Sequence, residues 1–251
     1  MRPHPIRTLT GTLGVAVAGS LAAMAITAAP AAATTNGNGN SDSNGSKSLA
    51  EVLAADGQRF DRNGHDYDIL DAAVAAVLKA KPGSPVKVLA DGKVELTAFL
   101  PKDSAFKKLV RDTTGKRVYG EAKVFAAVAE AFGIDTIEKV LLYHVVPGKP
   151  INASAALKAD GKDLKTALGS TIRVSVVHGK HHGHHGKHDA KHHGKHDEMH
   201  HGKHHGKHHG VITLKDKDPD LKDPAVRVPD INAGNRQIAH GIDRVLLPVN
   251  L

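Results

Sequence analysis

The sequence has no cysteine, no tryptophan and only three tyrosines and five phenylalanines in 251 residues. Without cysteine, the chain can form no disulfide framework, no thiolate metal site and no lipid-modified cysteine anchor. So few aromatic side chains, with no stacking motif among them, argue against specific recognition of nucleic acid. A chain of this length has room for one ordinary domain with additional segments, because domains typically have about 100–200 residues.

Sequence motifs of the common enzyme classes are also missing. The chain has no cysteine nucleophile, no G-x-S-x-G turn, no H-E-x-x-H helix, no phosphate-binding glycine loop and no Walker lysine. We therefore expect a protein that is not an enzyme and that requires no cofactor.

The first 33 residues resemble a secretory signal peptide. Arg2 and Arg7 form a basic start, residues 9–26 are apolar and small, and "AAPAAA" offers a cleavage site near Ala33. An uncleaved membrane anchor is the alternative, but a stretch rich in Ala, Gly and Thr is weakly apolar for a transmembrane helix. We expect cleavage, and no membrane span in the mature protein.

Residues 34–47, "TTNGNGNSDSNGSK", have almost nothing to bury and predict a disordered linker. At the other end, "RVLLPVNL" carries neither a hydrophobic tail nor a sorting signal. The sequence therefore predicts a secreted protein that is extracellular or associated with the cell wall.

Helical patterns predict four helices in the first half of the ordered chain. The first covers residues 68–80 and stops at "KPG". After a strand that ends at Pro101, Asp103 is predicted to cap a helix that starts at Ser104. Another helix runs to Gly133, and the next starts at Asp135 with Glu138 completing a capping box.

The second half changes to an alternating, strand-like pattern. The segments "TIRVSVV", "VITLKDK", "VRVPD" and "RQIAHGIDRVLLP" are each predicted to contain a strand. Helices followed by strands favour an α+β domain over alternating βαβ units.

Three separated motifs, "LTAFLPKDSAF" at 96–106, "LLYHVVPG" at 141–148 and "IAHGIDRVLLP" at 238–248, together resemble the fasciclin (FAS1) domain. Only the positions of Ala239 and Gly241 depart clearly from the last motif, where the family usually has Ile and Val. The resemblance implies a single fasciclin-like domain at 48–251, built as a β-sandwich flanked by helices. It also implies a non-enzymatic role in cell-surface or matrix adhesion, with an extracellular surface, matrix or glycan ligand. The motif residues that match the family are Thr97, Phe99, Pro101, Asp103, Phe106, Tyr143, His144, Pro147, Gly148, His240 and Asp243.

The family's Tyr-His region has been linked to receptor binding in animal members, so Tyr143 and His144 have two interpretations. A Tyr-His pair where an apolar helix meets an extended segment more often packs inward and satisfies its polar atoms internally. We favour this structural role, and we expect His240 to face inward as well, with Asp243 as a local hydrogen-bonding partner.

Fifteen of the nineteen histidines lie in one tract, residues 178–210, built from H-H-G-K repeats. Seven glycines argue against a helix there, and with almost no apolar residue the tract is predicted to be a long disordered loop at the tip of a hairpin. Neutral imidazole suits Zn²⁺, Ni²⁺ and Cu²⁺. The candidate metal ligands are His178, His181, His182, His184, His185, His188, His192, His193, His196, His200, His201, His204, His205, His208 and His209.

The tract leaves several functions open. The first is adhesion by the domain, with divalent transition metals bound by the loop. The second is an extracellular Zn, Ni or Cu buffer or chaperone for which the fold is only a scaffold. The tract could also be a solvated insert without a specific role. Finally, protonation of its histidines below a pKa of about 6.5 would create a polycation that binds anionic polymers at acidic pH.

Overall fold

A computed structural model describes residues 45–55, 60–178 and 210–249, which all belong to one compact unit. The predicted signal peptide at 1–33, the linker up to residue 44 and tract residues 179–209 lie outside the described residues. Within the described ranges, no helix has the length and apolar character needed to cross a membrane.

The described chain contains five α-helices, one 3₁₀-helix and seven strands. The helices are α1 (Leu49–Ala54), α2 (Asp68–Ala80), α3 (Asp103–Thr114), α4 (Glu121–Tyr143) and α5 (Ala153–Leu157), with the 3₁₀-helix at Pro85–Ala90. The strands are β1 (Leu96–Pro101), β2 (Val145–Pro147), β3 (Asp163–Lys165), β4 (Thr171–His178), β5 (Gly210–Lys215), β6 (Val226–Ile231) and β7 (Gln237–Ile242). The predicted α+β class is confirmed.

Helix α2 has the bounds that its apolar periodicity predicted, because one face is buried and the "KPG" segment that follows cannot continue the helix. Helix α4 contains the predicted break, since Gly133 adopts a positive φ of 68° there. The predicted capping box after it is wrong. Glu138 and Asp135 instead contact Lys81, which directly follows α2, and Lys81 Nζ lies 2.6 Å from Glu138 Oε2.

The strands form two sheets. The larger has the order β2-β1-β7-β6, and the smaller has the order β3-β4-β5. All ladders are antiparallel except β1–β7, which is parallel and pairs Leu96 with Gln237. The segments predicted to form strands are β1 and β4–β7, whereas β2 and β3 have three residues each and are too short to show an alternating pattern.

Strand β1 is buried on both faces and separates two hydrophobic cores. Leu96, Ala98 and Leu100 pack with the helices in the first core. Phe99 points the other way and packs in the second core with residues of the smaller sheet, such as Ile172 and Leu214. Because side chains alternate along a strand, β1 serves both layers. The predicted β-sandwich flanked by helices is therefore confirmed.

The departure from the family pattern at Gly241 has a structural reason. A Cβ atom there would overlap the hydroxyl of Tyr67 and would lie 3.1 Å from Val228 Cβ. Gly241 therefore provides space for the Tyr67 ring, and Ala239 beside it in β7 is fully buried in the first core.

Residues 45–47, at the end of the predicted linker, are held against the domain. Gly45 forms an isolated bridge with Asn235, and the Lys47 N–H donates to Asn235 Oδ1 at 3.0 Å. These backbone contacts, which composition did not predict, extend the described domain slightly beyond Ser48.

Candidate functional site

Tyr143 is the last residue of α4 and is completely buried. Its hydroxyl donates to the Thr171 carbonyl at 3.0 Å, which links the helix to the smaller sheet. Burial, together with the nearby Asp216 carboxyl, raises the pKa of Tyr143 well above its usual value. The side chain thus joins two layers and leaves no polar atom for an external ligand.

His144 follows at the junction between α4 and β2, and it is 4% exposed. Its Nδ1 lies 2.7 Å from the Val140 carbonyl, and its Nε2 accepts the Leu246 N–H at 3.0 Å. These two bonds require a neutral ring with the proton on Nδ1. Burial lowers the pKa of His144 to about 4, although the bond to Val140 opposes this shift.

His240 in β7 has the same kind of environment. Its Nε2 lies 2.8 Å from the Ile151 carbonyl, and its Nδ1 accepts the Asp230 N–H at 3.3 Å. Burial lowers its pKa, and its ring lies 5.9 Å from that of Phe99. Both motif histidines therefore hold the backbone of segments that are distant in sequence.

Thr97 and Asp243 also bind backbone groups. Thr97 Oγ1 accepts the Ile151 N–H at 2.8 Å, and Asp243 Oδ1 accepts the Ala225 N–H at 2.9 Å. The other Asp243 oxygen pairs with Arg227, and the pKa of Asp243 is lowered overall by these bonds although its burial acts in the opposite direction. Asp243 thus bonds to residues at the start of β6, not to His240.

The remaining motif residues pack or turn the chain. Phe99, Pro101 and Phe106 are buried, whereas Pro147 and Gly148 are exposed at the end of β2. Gly148 has a φ of 109°, and its N–H donates to the Glu95 carbonyl at 3.0 Å. This positive φ explains why glycine follows Pro147.

Asp103 is in α3 but does not cap it, so that prediction is wrong. The first N–H groups of α3 donate instead to backbone carbonyls of the preceding loop: Asp103 N–H to Asp66 and Ser104 N–H to Gly64, at 3.1 and 3.0 Å. With its own helix end satisfied, Asp103 uses Oδ1 to accept the Ile69 N–H at 3.0 Å, near the start of α2.

Asp103 belongs to a buried carboxyl cluster that the sequence did not reveal. Carboxyl oxygens of Asp66, Asp103 and Glu121 lie within 4.8 Å of one another, and all three residues are buried. Burial, and then the adjacent Asp66, raise the pKa of Asp103 to about 8. The acidic segment "DRNGHDYD" at 61–68 was a visible signal for part of this cluster.

Strands β4 and β5 form the base of the histidine tract. His178 pairs with Gly210, so the two ends of the tract leave the smaller sheet side by side. Val177 and Val211, one pair further into the ladder, are both exposed. The predicted metal ligands from His181 onward lie outside the described residues, and the structure brings no other histidine to this end of the hairpin among the residues it describes.

Comparison with known proteins gives one family match, because residues 71–248 match the family model described as "Fasciclin domain". Among solved structures, the chain is similar to a FAS1 domain pair from the insect cell adhesion molecule Fasciclin I, with 14% sequence identity and a TM-score of 0.38. That match covers 72% of this chain and 43% of the insect chain, so this chain spans less than half of the solved structure. No curated protein matches the chain.

Proposed function

Because the chain belongs to the fasciclin domain family, we propose that it is a secreted, non-enzymatic protein for cell-surface or matrix adhesion whose histidine tract binds transition metals. Fasciclin domains are adhesion modules that are typically extracellular or surface-associated. The proposed ligands are an extracellular surface, matrix or glycan for the domain, and Zn²⁺, Ni²⁺ or Cu²⁺ for the tract.

The internal satisfaction of the motif residues supports a binding role without catalysis. Each ring nitrogen of His144 and of His240 is within bonding distance of a backbone group, so neither ring has a free nitrogen to act as a base. The Tyr143 hydroxyl is engaged in the same way. Ligand contacts are therefore left to exposed side chains, as expected for an adhesion module.

The pairing of His178 with Gly210 is the observation that supports a separate role for the tract. Since the ladder between β4 and β5 is complete up to this pair, the tract can bind or release metal without disturbing the two cores. Its six lysines against three acidic residues give the tract an excess positive charge even with neutral histidines. That excess grows when the histidines are protonated.

The test compares three proteins: the full chain, a variant with residues 178–210 replaced by Asn-Gly, and a variant with the fifteen tract histidines changed to Gln. The Gln variant preserves the length and the lysines. We expect calorimetry at pH 7.4 to show several Zn²⁺, Ni²⁺ or Cu²⁺ ions bound at micromolar affinity or tighter only by the full chain, and weaker binding at pH 5.5. Millimolar binding, or equal binding by the Gln variant, would refute a metal site.

Adhesion is measured on the same three proteins, with immobilised matrix proteins and glycans as ligands. Binding that survives the Asn-Gly replacement assigns adhesion to the domain. If no protein binds these surfaces while the full chain binds metals tightly, the metal buffer or chaperone is the better interpretation. Binding of the full chain to anionic polymers at pH 5.5 but not at pH 7.4, lost in the Gln variant, would identify the acid-dependent polycation.

A further inference from the structure

We propose that the loop at 61–68, together with the starts of α3 and α4, forms a binding site for Ca²⁺. The proposed ligands are carboxyl oxygens of Asp66, Asp103 and Glu121, with Asp61 at the exposed side. This site is remote in sequence from the histidine tract and does not depend on the proposed function.

The first observation is that carboxyl groups from different segments of the chain lie close together. Oxygens of Asp66, Asp103 and Glu121 lie within 4.8 Å of one another, and a second group with the same spacing joins Asp66 to Asp61 and Asp68. Asp66 is common to both groups and therefore lies at the centre of the cluster. The residues come from a loop and two helices, so a bound ion would connect three segments of the chain.

The second observation is that three of the four oxygens of the central carboxyl groups, those of Asp66 and Asp103, have no hydrogen-bond partner. Both side-chain oxygens of Asp66, which is 8% exposed, lack one, and so does Oδ2 of the fully buried Asp103. Buried carboxylates normally have hydrogen-bond or ionic partners, because the loss of hydration is costly. The three oxygens without a partner belong to carboxyl groups of this cluster, so they are available to a ligand.

Neighbouring cations and helix ends balance only part of this negative charge: the Ile69 N–H at the start of α2 reaches Asp103 Oδ1 alone. Lys107 Nζ lies 2.8 Å from Glu121 Oε1, and the other Glu121 oxygen accepts the Asp61 N–H at 2.7 Å. One lysine therefore balances one carboxylate, and Asp66 and Asp103 remain. The first N–H groups of α3 are already bonded to the carbonyls of Gly64 and Asp66, so they are not directed at these carboxylates.

The ligand chemistry favours Ca²⁺ over other divalent ions. An all-oxygen set of carboxylates suits hard cations and not the transition metals that imidazole prefers. Mg²⁺ demands near-ideal octahedral geometry and usually keeps several waters, whereas Ca²⁺ accepts irregular sets of six to eight oxygens. With Asp66 and Asp103 buried and Asp61 exposed, the site offers little room for a water shell except on one side.

The competing occupant is a proton shared between the Asp66 and Asp103 carboxyls. The test measures the melting temperature of the full, EDTA-treated chain at pH 7.4 against Ca²⁺ and, separately, Mg²⁺. We expect a Kd of about 0.1–1 mM, in the range of extracellular calcium modules. At a hundredfold excess over Kd, Ca²⁺ is expected to raise the melting temperature by about 5–10 °C, and Mg²⁺ to have a smaller effect.

Asp66→Asn removes the central charge with little change in volume, and it is expected to abolish the Ca²⁺ response. Because Asp66 has no partner to lose, the metal-free variant should melt no lower than the metal-free wild type. Asp163→Asn is the matched control, since it removes an equal charge from a carboxylate that pairs with Arg173 on the smaller sheet; it should retain the Ca²⁺ response.

Two results would overturn the proposal. One is a wild-type melting temperature that does not change with Ca²⁺, which needs no variant and remains decisive if Asp66→Asn does not fold. That result would leave the proton shared between the Asp66 and Asp103 carboxyl groups as the occupant of the cluster. The other is a Ca²⁺ response of equal size in Asp66→Asn and wild type, which would place the ion elsewhere.

Discussion

The close approach of Tyr67 to Gly241 predicts that this glycine cannot be enlarged. A methyl group at Gly241 would overlap the Tyr67 hydroxyl and crowd Val228 Cβ at 3.1 Å. Overpacking of this kind typically costs about 1–3 kcal/mol. Replacement of a strand glycine by alanine would otherwise stabilise the protein by about 0.5–1 kcal/mol. We therefore expect Gly241→Ala to lower the free energy of unfolding by about 1–2 kcal/mol.

Removal of the hydroxyl should relieve most of this cost. In Tyr67→Phe, the nearest ring atom to the new methyl group is Cζ at 3.5 Å, an ordinary van der Waals contact. Gly241→Ala should therefore be close to neutral in the Tyr67→Phe background. The double-mutant cycle is expected to give a coupling free energy of about 1–2 kcal/mol, which is within the range for residues in contact.

The four proteins of the cycle are compared by urea unfolding at pH 7, followed by far-UV circular dichroism. Tyrosine fluorescence is unsuitable because the cycle changes one of only three tyrosines and there is no tryptophan. Gly83→Ala is the control, since a Cβ atom there meets nothing within 4 Å. The reasoning is refuted if Gly241→Ala costs the same in both backgrounds or is neutral in the wild type.

Three further predictions concern buried polar groups. The folded pKa of His144, about 4, lies below the unfolded value. The free energy of unfolding should therefore fall by about 2.5 kcal/mol as the pH is lowered from 7 to 4.5. Urea unfolding should show no such fall in His144→Gln, whereas a control variant at the exposed His65 should still show it. Burial raises the pKa of Asp216 to about 6, although the Leu247 and Asp218 N–H groups donate to its carboxylate, so stability should decrease as pH rises from about 4 to 6. This decrease should be absent in Asp216→Asn, whose amide can accept only one of the two N–H groups; an unchanged pH dependence of urea unfolding would contradict this role. Thr97→Val leaves the Ile151 N–H without its acceptor and should cost about 1–3 kcal/mol, whereas Thr97→Ser should keep most of that stability; equal losses in chemical denaturation would contradict this role.

Elements with a long or strong pattern could be predicted from the sequence. Helix α2 shows more than three turns of apolar periodicity before "KPG", and β4 alternates from Thr171 to Val176. Strands β2 and β3 could not be predicted, because a three-residue strand has no measurable period and depends on its partner for stability. The parallel pairing of β1 with β7 also escaped prediction, since it joins segments about 140 residues apart.

The wrong prediction for Asp103 shows that the cap of a helix can depend on residues outside the local sequence. An aspartate just before a helical pattern is usually an N-cap, and nothing nearby in the sequence indicates that the Gly64 and Asp66 carbonyls would take this role. The tertiary structure also brings Glu121 close to Asp66 and Asp103. A cluster assembled from three segments has no spacing rule, so only the acidic run at 61–68 could have indicated it.

The central position of β7 has a consequence for how the chain acquires its fold. Strand β1 needs β7 along one edge, and everything between them, including the histidine tract, must be synthesised before that edge can be covered. Pairing across so large a sequence separation is slow, because the entropy of closing the loop is lost before the contacts form. If the β4–β5 hairpin forms early, it closes off the tract, and the tract no longer adds to the length of the loop between β1 and β7. The length of the tract should therefore affect the refolding rate much less than a mutation that weakens this hairpin.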